Sequence, residues 1–311
     1  MAVVVGLIVA DRDATSRDAV NASPLPLRVI VLDVGQGDAT IVSLPSGRTA
    51  LVDAGGLATP GAGTSADPSA RPAGFDIGDR VVLPALRAVG IRRLDALVLT
   101  HGDPDHVLGA PSVLQRMGAR SVWEGVPVPP HPGLRALLSV AHGRGATWRT
   151  LQAGDVERFS EVAVRVLHPP LPDWERQRVR NEDSVVLEIR IGQVSIVLPG
   201  DIGREGERAI LPRLERGRLV ILKAPHHGSA TSSTPELLAA LRPAAVIFSC
   251  GRENRFGHPH PAVLARYQEA GAQIFRTDRD GAVFVETDGE VVEVRGWRGR
   301  GVIFGQPSRS R

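Results

Sequence analysis

The chain has 311 residues, of which 42% are hydrophobic and 23% are charged. This composition is typical of a globular protein and excludes a wholly disordered chain, a collagen-like repeat and a coiled coil. The length allows one large α/β domain or two ordinary ones. The single cysteine, Cys250, excludes a disulfide framework and any zinc site built on cysteine, so a metal site here requires His, Asp and Glu. Cys250 ends an apolar run and is interpreted as buried core.

The formal net charge is +3 and the isoelectric point is about 9.9. Lys223 is the only lysine, every other basic side chain is arginine, and little else titrates between neutral pH and the isoelectric point. The isoelectric point is therefore weak support for a nucleic-acid partner. We attribute the scarcity of lysine to codon bias. Arginines at 176, 178 and 180 are interpreted as a solvated basic face, with phosphate contact as the alternative.

The first ten residues form an apolar run, and residues 11–26 are polar and predict a linker. The run is shorter than the roughly 20 residues that cross a bilayer, and it lacks the basic start of a signal peptide. Two interpretations stay open for it. It is a buried or frayed N-terminal segment, or it is the end of a membrane span.

Regular structure is predicted over residues 27–294. Strands open each half and later alternate with helical segments, which predicts two sheets between layers of helices. The predicted strands cover 28–34, 39–44, 49–53, 95–100, 184–191, 193–198, 218–223 and 244–249, with three short strands after 270. The predicted helices cover 77–89, 107–117, 133–143, 204–216, 235–241 and 261–270. Residues 295–311 are rich in Arg and Gly and predict a loose tail, with nucleic-acid contact as the alternative.

The strongest chemical signal is LTHGDPDHVLG, residues 99–109, directly after an apolar strand. Four potential metal ligands fall within six residues there: His101, Asp103, Asp105 and His106. Divalent metals bind such mixtures of imidazole and carboxylate. Two further strand ends supply Asp201, after VSIVLPG, and the pair His226 and His227, after VILKAP. Three such strand ends predict a metal site at one edge of a sheet.

These motifs resemble the metallo-β-lactamase-fold hydrolases, whose signature H-x-H-x-D-H stands where this chain has H-x-D-x-D-H. The variant resembles the soluble domain of the ComEC family of competence DNA-uptake proteins, and also choline-phosphate esterases. The ComEC family shares VLDVGQGDATIV, VDAGG, NEDSVVLEI, VLPGD, LKAPHHGSATSS, NRFGHPHP and FRTDRDGAV in this order, over roughly residues 28–287. The resemblance implies an α/β fold, a four-layer αββα sandwich with its metal site at the sheet edges.

The resemblance implies two divalent metal ions, of zinc or manganese, with magnesium as a third candidate. It implies that His101 and Asp103 hold the first ion. Most members of the fold add a His before the Gly-Asp strand, whereas this chain offers only Asn181 and Ser184 there. His168 is nearby, but its HPP context is interpreted as a turn. The first ion therefore has fewer protein ligands than is usual in the fold.

For the second ion the resemblance implies Asp105, His106 and one of His226 and His227, of which we favour His227. Asp201 bridges both ions in this scheme. Three carboxylates and one hydroxide would balance the charge of two divalent ions. The hydroxide is the expected nucleophile, because bound divalent metals lower the pKa of water to about 7.

Catalytic roles are predicted for Asp105 and Asp201 through the ions, and for His258. His258 lies in GRENRFGHPHP, where a neutral imidazole would stabilise a phosphate or protonate the leaving oxygen. Asn254 and Arg255 precede it and are candidate substrate contacts. His260 is either a further contact or a structural residue before a helix. His131 and His142 have no cluster partner and are interpreted as surface residues.

Supporting roles are predicted for several residues around these ligands. Asp53, in LVDAGG, orients a ligand His or closes a turn. Three residues of LDVGQGD share these two interpretations: Asp33, Gln36 and Asp38. Ser229, with Thr231 and Ser232, binds a phosphate or caps the helix predicted near residue 235.

The resemblance implies a phosphodiesterase or nuclease that acts on DNA during competence-linked uptake. DNA or another phosphodiester and a membrane channel are the expected partners. Two alternatives stay open, a small-ester hydrolase resembling phosphorylcholine esterases or lactonases, and a non-catalytic metal-binding module. The resemblance implies an extracytoplasmic, membrane-associated domain, whereas a stand-alone paralogue would be cytoplasmic.

Overall fold

A computed structural model describes residues 26–56, 75–125, 132–171, 181–215, 217–299 and 301–305. The apolar N-terminal run, most of the linker predicted after it, His131 and the arginines at 176, 178 and 180 lie outside these ranges. None of the helices in the described ranges is both long and apolar enough to cross a bilayer.

Sixteen strands lie in the described ranges. They are β1 Leu27–Val31, β2 Thr40–Ser43, β3 Thr49–Val52, β4 Leu94–Leu99, β5 Ala119–Glu124, β6 Thr147–Thr150, β7 Val156–Phe159, β8 Val162–His168, β9 Val186–Ile191, β10 Val194–Leu198, β11 Leu219–Lys223, β12 Ala245–Phe248, β13 Gln273–Arg276, β14 Val283–Thr287, β15 Val292–Gly296 and β16 Gly301–Phe304. They form a nine-stranded sheet, ordered β16-β15-β14-β1-β2-β3-β4-β5-β6, and a seven-stranded sheet, ordered β13-β12-β11-β10-β9-β8-β7.

The helices connect the parallel strands and cover the outer faces of both sheets. They are α1 Leu83–Ala88, α2 Pro104–Val107, α3 Ala110–Arg116, α4 Pro132–Gly143, α5 Arg204–Ile210, α6 Pro235–Leu241, α7 Pro261–Glu269 and α8 Thr277–Asp280. A π-helical turn, Gly78–Val82, precedes α1, and 3₁₀ turns cover Asn181–Asp183, Leu211–Arg213 and Pro225–Gly228. This arrangement confirms the predicted four-layer αββα sandwich.

Three apolar clusters hold the four layers together. One lies between the sheets, and each of the others lies between one sheet and its helices. Strand β10 shows how one sequence serves two layers, since every residue in it is buried. Ile196 faces the cluster between the sheets, whereas its neighbour Val197 faces the helices. Strands that are buried on both faces read as continuous apolar runs, which is why they were predictable.

The sheet topology brings the functional segments to one edge of the sandwich. Strands β3 and β4 pair in parallel in the first sheet, and β10, β11 and β12 pair in parallel in the second. The carboxyl ends of parallel strands meet at the same edge. The loops after β4, β10 and β11 therefore emerge where both sheets can contribute ligands.

The sequence prediction omitted strands β5, β6, β7 and β8. The first three contain exposed or half-exposed charged or hydroxyl side chains among their apolar residues, which weakens the apolar signal of a strand. The predicted helix over 107–117 is also divided, into α2 and α3. A Cβ at Gly109 would lie 2.2 Å from the Ala54 carbonyl oxygen, so the chain passes too close there for a larger residue.

The loose tail predicted for residues 295–311 is wrong over part of its length. β15 extends to Gly296, and Gly301–Phe304 forms β16, which pairs antiparallel with it. Val302 and Phe304 pack against the cluster between the sheets, whereas Ile303 is 67% exposed. Alternation of apolar side chains across an edge strand therefore overrides the Arg and Gly signal.

We expect the two faces of β16 to differ in their contribution to stability. Phe304→Ala removes a ring that contacts the core, so we expect a loss of about 1–2 kcal/mol in the free energy of unfolding. Ile303→Ala on the opposite face is the matched control, with an expected loss below about 0.5 kcal/mol. Urea unfolding measures both, and equal small effects would restore the interpretation of this segment as a tail.

Candidate metal centre

Four side chains from three strand ends converge on one point. They are Asp105 and His106 on α2, Asp201 after β10, and His227 after β11, and we call them the ligand cluster. Asp201 Oδ2 lies 3.4 Å from His106 Nε2 and 3.3 Å from His227 Nε2. His227 Nε2 also lies 3.4 Å from Asp105 Oδ2.

The separations in the ligand cluster match the edges of a coordination tetrahedron. With metal–ligand distances of about 2.0–2.1 Å, two ligand atoms of a tetrahedral ion lie about 3.3–3.4 Å apart. The separations in the ligand cluster are too long for good hydrogen bonds, because N–H···O hydrogen bonds have donor–acceptor distances of about 2.7–3.2 Å. The donor set of two imidazoles and two carboxylates suits a divalent ion of intermediate hardness.

The unsatisfied atoms at this point fit a cation. Within the described residues, His101, His106 and His227 each have a buried Nε2 atom with no hydrogen-bond partner, and Asp201 Oδ1 is in the same condition. Buried polar groups without partners cost free energy and are rare in proteins. A divalent ion would satisfy these atoms, so the residues present fit such a group.

The opposite nitrogens of the two cluster imidazoles are fixed by protein groups. His106 Nδ1 lies 2.7 Å from Asp53 Oδ2, and His227 Nδ1 donates to the Ser249 carbonyl at 2.9 Å. Each contact places the hydrogen on Nδ1 and turns Nε2 toward the centre. Such outer contacts fix the tautomer and the ring orientation of a metal ligand. Asp53 therefore has the orienting position predicted for it.

A short chain of hydrogen bonds extends this support to His101. Asp53 accepts the backbone N–H of Thr100 at 2.8 Å and its hydroxyl at 2.7 Å. The Thr100 oxygen lies 3.0 Å from His101 Nδ1, so that Nε2 of His101 faces inward as well. One buried carboxylate thus orients both histidines of the motif that follows β4.

The remaining predicted ligands are more widely spaced. His101 Nε2 lies 3.7 Å from Asp103 Oδ2, and the Asp103 side chain is 45% exposed. His226 Nε2 lies 3.8 Å from Asp201 Oδ2 and 3.3 Å from Asn181 Nδ2. This second group is adjacent to the ligand cluster but is more open, as the sparse ligand set predicted for the first ion would require.

The backbone is strained at three of these positions. Asp53, His226 and His227 have φ angles of 58°, 48° and 54°, in the left-handed region that non-glycine residues seldom adopt. Each such residue costs on the order of 1 kcal/mol or more and persists only where surrounding contacts fix it. The strain lets two consecutive histidines approach Asp201 from one turn. The His226 N–H donates to the Gly200 carbonyl at 3.1 Å, which ties this turn to the β10 loop.

A buried ion pair lies behind the ligand cluster. The Lys223 ammonium contacts Asp38 Oδ2 directly and lies 3.8 Å from Asp201 Oδ1, and both Lys223 and Asp38 are almost fully buried. Asp38 Oδ1 is 3.4 Å from His227 Nδ1, on the side of the ring that faces away from the centre. Asp38, His106, Asp201 and His227 also form a group with metal-binding composition. We place Asp105 in the ligand cluster and Asp38 outside it, because Asp38 meets His227 through Nδ1.

Opposite charges shift the pKa values of the cluster in opposite directions. Burial alone would lower the pKa of both imidazoles, but Asp201, with Asp53 at His106 and Asp38 at His227, holds each pKa well above its ordinary value. Burial alone would raise the pKa of Asp201, yet His227 and His106 hold it well below its ordinary value. Without an ion, protons therefore supply the positive charge that the carboxylates require.

His258, for which the sequence predicts a catalytic role, borders the ligand cluster. Its ring centroid lies 5.8 Å from that of His226 and 6.3 Å from that of His227. Burial, followed by the positive charges of His227 and His226, lowers the pKa of His258 to about 4. Its ring is therefore neutral at pH 7. Asn254 supports its loop, because Asn254 Nδ2 donates to the His258 carbonyl at 2.6 Å.

Two predicted residues of the first loop lie away from the cluster. Asp33 is surrounded by Arg298, Arg252 and Asp278, and burial raises the pKa of its carboxyl. Gln36 Oε1 accepts the Gly251 N–H at 3.3 Å and joins two loops. Of the three candidates in this loop, only Asp38 reaches a cluster residue.

Ser184, considered as a substitute metal ligand, and the hydroxyl residues predicted near the phosphate have local hydrogen-bond partners. Ser184 donates to the Asn181 carbonyl at 2.6 Å and accepts the Asp201 N–H at 3.1 Å, so it fixes the Asp201 loop. Ser229 Oγ lies 3.1 Å from Thr231 Oγ1. The Ser232 hydroxyl donates to the Pro225 carbonyl at 2.8 Å.

The interpretation that Ser229, with Thr231 and Ser232, caps the helix near residue 235 is wrong. Thr234 caps α6, since its Oγ1 accepts the Leu237 N–H at 3.3 Å. His260 has the structural role that was one of its two interpretations, because its Nδ1 accepts the Ala262 N–H at the start of α7.

Three further residues that the sequence analysis interpreted lie outside the motif. His168 ends β8, where it is buried against the Ser184 carbonyl rather than placed in an exposed turn. Cys250 is buried, and burial raises the pKa of its thiol to about 12, which excludes a reactive thiolate at neutral pH. His142, on α4, is exposed as predicted.

Sequence reasoning missed three supporting groups: Lys223, the Thr100 hydroxyl and the Ser249 carbonyl. Lys223 had a detectable signal, since it is the only lysine in a chain that otherwise uses arginine. We attributed that scarcity to codon bias, but the one position that keeps an ammonium is buried beside the cluster. A compact ammonium on a linear stem fits where a planar guanidinium would not. A backbone carbonyl such as that of Ser249 leaves no sequence signal.

Comparison with known proteins places this geometry in context. The model of the metallo-beta-lactamase superfamily matches residues 32–252, which is more than half of the chain. The chain is 33% identical over 257 residues to ComE operon protein 3 of Bacillus subtilis, covering 82% of this chain and 32% of that protein. It is 30% identical over 258 residues to competence protein ComA of Neisseria gonorrhoeae, covering 82% and 31%. The chain thus spans about a third of the length of these relatives.

Solved structures share the fold at low sequence identity. The metallo-beta-lactamase fold protein YhfI from Bacillus subtilis superposes with a TM-score of 0.53 at 11% identity, covering 85% of this chain and all of that one. PqqB from Methylobacterium extorquens gives a TM-score of 0.50 at 14% identity, covering 80% and 97%. At these identities the likeness shows the fold alone.

We expect Lys223 to be required for stability. Lys223→Met keeps the length of the side chain but leaves the buried Asp38 carboxylate without its ammonium, so we expect a loss of about 3–5 kcal/mol in unfolding free energy. The double variant Lys223→Met/Asp38→Asn removes both charges and should recover most of that loss. Urea unfolding at pH 7 measures both variants. A Lys223→Met protein as stable as the wild type would contradict the pairing.

We expect divalent metal affinity to increase with pH. The pKa values of His106 and His227 are held well above their ordinary values, so both imidazoles carry a proton at neutral pH that metal binding must displace. Affinity therefore falls as protons compete more strongly on acidification. Titration calorimetry in two buffers of different ionisation enthalpy measures the released protons. Binding without proton release at pH 6–7 would show that these imidazoles are not displaced by the ion.

Proposed function

Because the chain belongs to the metallo-β-lactamase superfamily and is a metal-dependent hydrolase by family, we propose that it hydrolyses phosphodiesters and that DNA is its substrate. The observation that carries the proposal is the convergence of His106, Asp105, Asp201 and His227 at tetrahedral ligand spacing on one sheet edge. The similarity to competence proteins supports DNA as the substrate class. It covers about a third of those proteins, so their transport roles are not assigned to this chain.

We propose that the site takes two divalent ions. His106, Asp105, Asp201 and His227 would hold one, and His101, Asp103 and Asp201 would hold the other, with His226 beside it. When bound, divalent ions polarise a phosphoryl oxygen and lower the pKa of coordinated water. Zinc and manganese both suit this donor set, and the exposed Asp103 favours the harder of the two at the more open position.

The chain's own residues would position the reacting groups. Asp53, through Thr100 and His106, keeps the imidazoles that follow β4 directed at the phosphate position. Asn181 and Asp103 line the open side, where a diester can enter. His258 is neutral at pH 7, so a ring N–H directed at a phosphoryl oxygen would donate a hydrogen bond without repelling the bound ions.

The open side also explains why a diester is favoured over a small lactone. The Asp103 side chain is nearly half exposed, that of His226 is about a quarter exposed, and Phe256 and Arg255 are exposed beyond His258. A long substrate can therefore pass across the ligand cluster with both ester arms in solvent. A small lactone would not extend across this open side.

Substitution of cluster carboxylates tests the proposal. Asp105→Ala and Asp201→Ala each remove one cluster ligand, so we expect hydrolysis of bis(p-nitrophenyl) phosphate and of single-stranded DNA to fall at least 100-fold, an order-of-magnitude expectation. Glu236→Ala, which removes an exposed carboxylate on α6, is the matched control and should retain full activity. Rates are measured with manganese, zinc or magnesium after removal of bound metal.

Two results would replace the proposal by one of its alternatives. Activity that is confined to small carboxylic esters or lactones, and lost in the same two variants, would identify a small-ester hydrolase. Activity that is unchanged in both variants would not come from the ligand cluster. The cluster would then belong to a non-catalytic metal-binding module. Circular dichroism of each variant confirms that lost activity is not lost folding.

A further inference from the structure

An exposed aromatic ring stands at the edge of the ligand cluster. Phe256, in the loop between β12 and α7, is 52% exposed. The Arg255 guanidinium lies 4.9 Å from the centroid of the Phe256 ring. Aromatic residues make up only 4% of the chain, and exposure of an apolar ring to water is unfavourable. The exposed position of Phe256 therefore calls for an explanation.

Phe256 begins a series of rings that leads to the ligands. Its centroid lies 5.7 Å from that of His258, with an angle of 24° between the planes. The His258 ring lies in turn 6.3 Å from that of His227, at 25°. Three rings thus extend from the surface to the ligand cluster, and Phe256 is two ring-to-ring steps away from His227.

The loop that carries Phe256 is held in place. Asn254 Nδ2 donates to the carbonyls of Gly251 at 2.9 Å and His258 at 2.6 Å, and its Oδ1 accepts the His258 N–H at 3.0 Å. The Gly257 N–H closes the turn on the Asn254 carbonyl at 3.1 Å. Phe256 is therefore presented by hydrogen bonds of its loop and not by packing in the core. A pre-organised exposed ring loses little conformational entropy on binding.

We propose that Arg255 and Phe256 form a stacking subsite for one unpaired base of single-stranded DNA, next to the phosphate that the ligand cluster receives. The inference rests on the proposed phosphodiesterase function. Proteins hold single strands by stacking bases on aromatic rings and on guanidinium planes. A base in a duplex is already stacked and paired, so the subsite selects unpaired nucleotides.

One ring accommodates one base. The subsite therefore predicts recognition of a short stretch beside the cleaved bond and not of a long strand. It also assigns different roles to neighbouring residues, since Phe256 would act on substrate binding while the ligand cluster acts on the chemistry. The guanidinium of Arg255 can stack on the base or pair with the next phosphate.

The test compares an ordinary single-stranded oligonucleotide with one of the same length built from abasic residues. The wild type should show a KM for the ordinary strand about 5- to 100-fold lower than for the abasic one. Phe256→Ala should remove this preference, so that the KM values for the two strands become equal, and Phe256→Trp should keep it. Fluorescence anisotropy of the labelled strands, without added divalent metal, gives a readout of binding that is independent of hydrolysis.

A matched arginine controls for charge. The Arg48 guanidinium lies 5.3 Å from the Phe159 ring, in the hairpin after β2, at the opposite edge of the sandwich. Arg48→Ala removes the same charge and should leave the base preference intact, whereas Arg255→Ala should reduce it. A Phe256→Ala protein that still prefers the ordinary strand would overturn the subsite and leave the proposed function in place. Failure of the wild type to cut either strand would overturn the proposed function, and anisotropy would then decide the subsite alone.

Discussion

One carboxylate, Asp201, meets two buried imidazoles at distances too long for good hydrogen bonds, and the functional edge of the sandwich is organised around that constraint. Burying such groups without close partners is costly. The arrangement becomes favourable only when a positive charge occupies the space between them. Protons supply that charge weakly and a divalent cation supplies it well. The geometry therefore identifies a binding site more firmly than the presence of His and Asp in a motif does.

The residues around Asp201, His106 and His227 hold these three side chains at this spacing. Asp53 and the Ser249 carbonyl hold the outer nitrogens of the two rings, so that the rings cannot rotate toward each other. Lys223 neutralises Asp38, which otherwise would compete with the Ser249 carbonyl for the Nδ1–H of His227. Presenting both rings from one turn requires the left-handed backbone at His226 and His227. The hydrogen bond from the His226 N–H to the Gly200 carbonyl helps to hold the turn in this conformation. Function here opposes local conformational preference, as is common at active sites.

The extent to which sequence predicted this site follows from where its parts lie in the chain. Ligands at strand ends were predictable because an apolar run followed by His and Asp marks both the strand and the chemistry. Strand β16 was not, because half of its side chains face solvent and the Arg- and Gly-rich sequence around it is typical of a tail. Asp33 and Asp38 are five positions apart in one loop, yet only Asp38 faces the cluster. Which of them does so depends on the path of the loop between β1 and β2, which no local pattern records.

The ligand cluster is divided between the two halves of the chain. Asp105 and His106 come from the first sheet, whereas Asp201 and His227 come from the second, so neither half holds a complete set. Occupancy by an ion would act as a clasp between the sheets, with a contribution to the folded state that grows with the free concentration of the ion. The free metal concentration around the protein would then affect the stability of the folded state as well as the activity of the site.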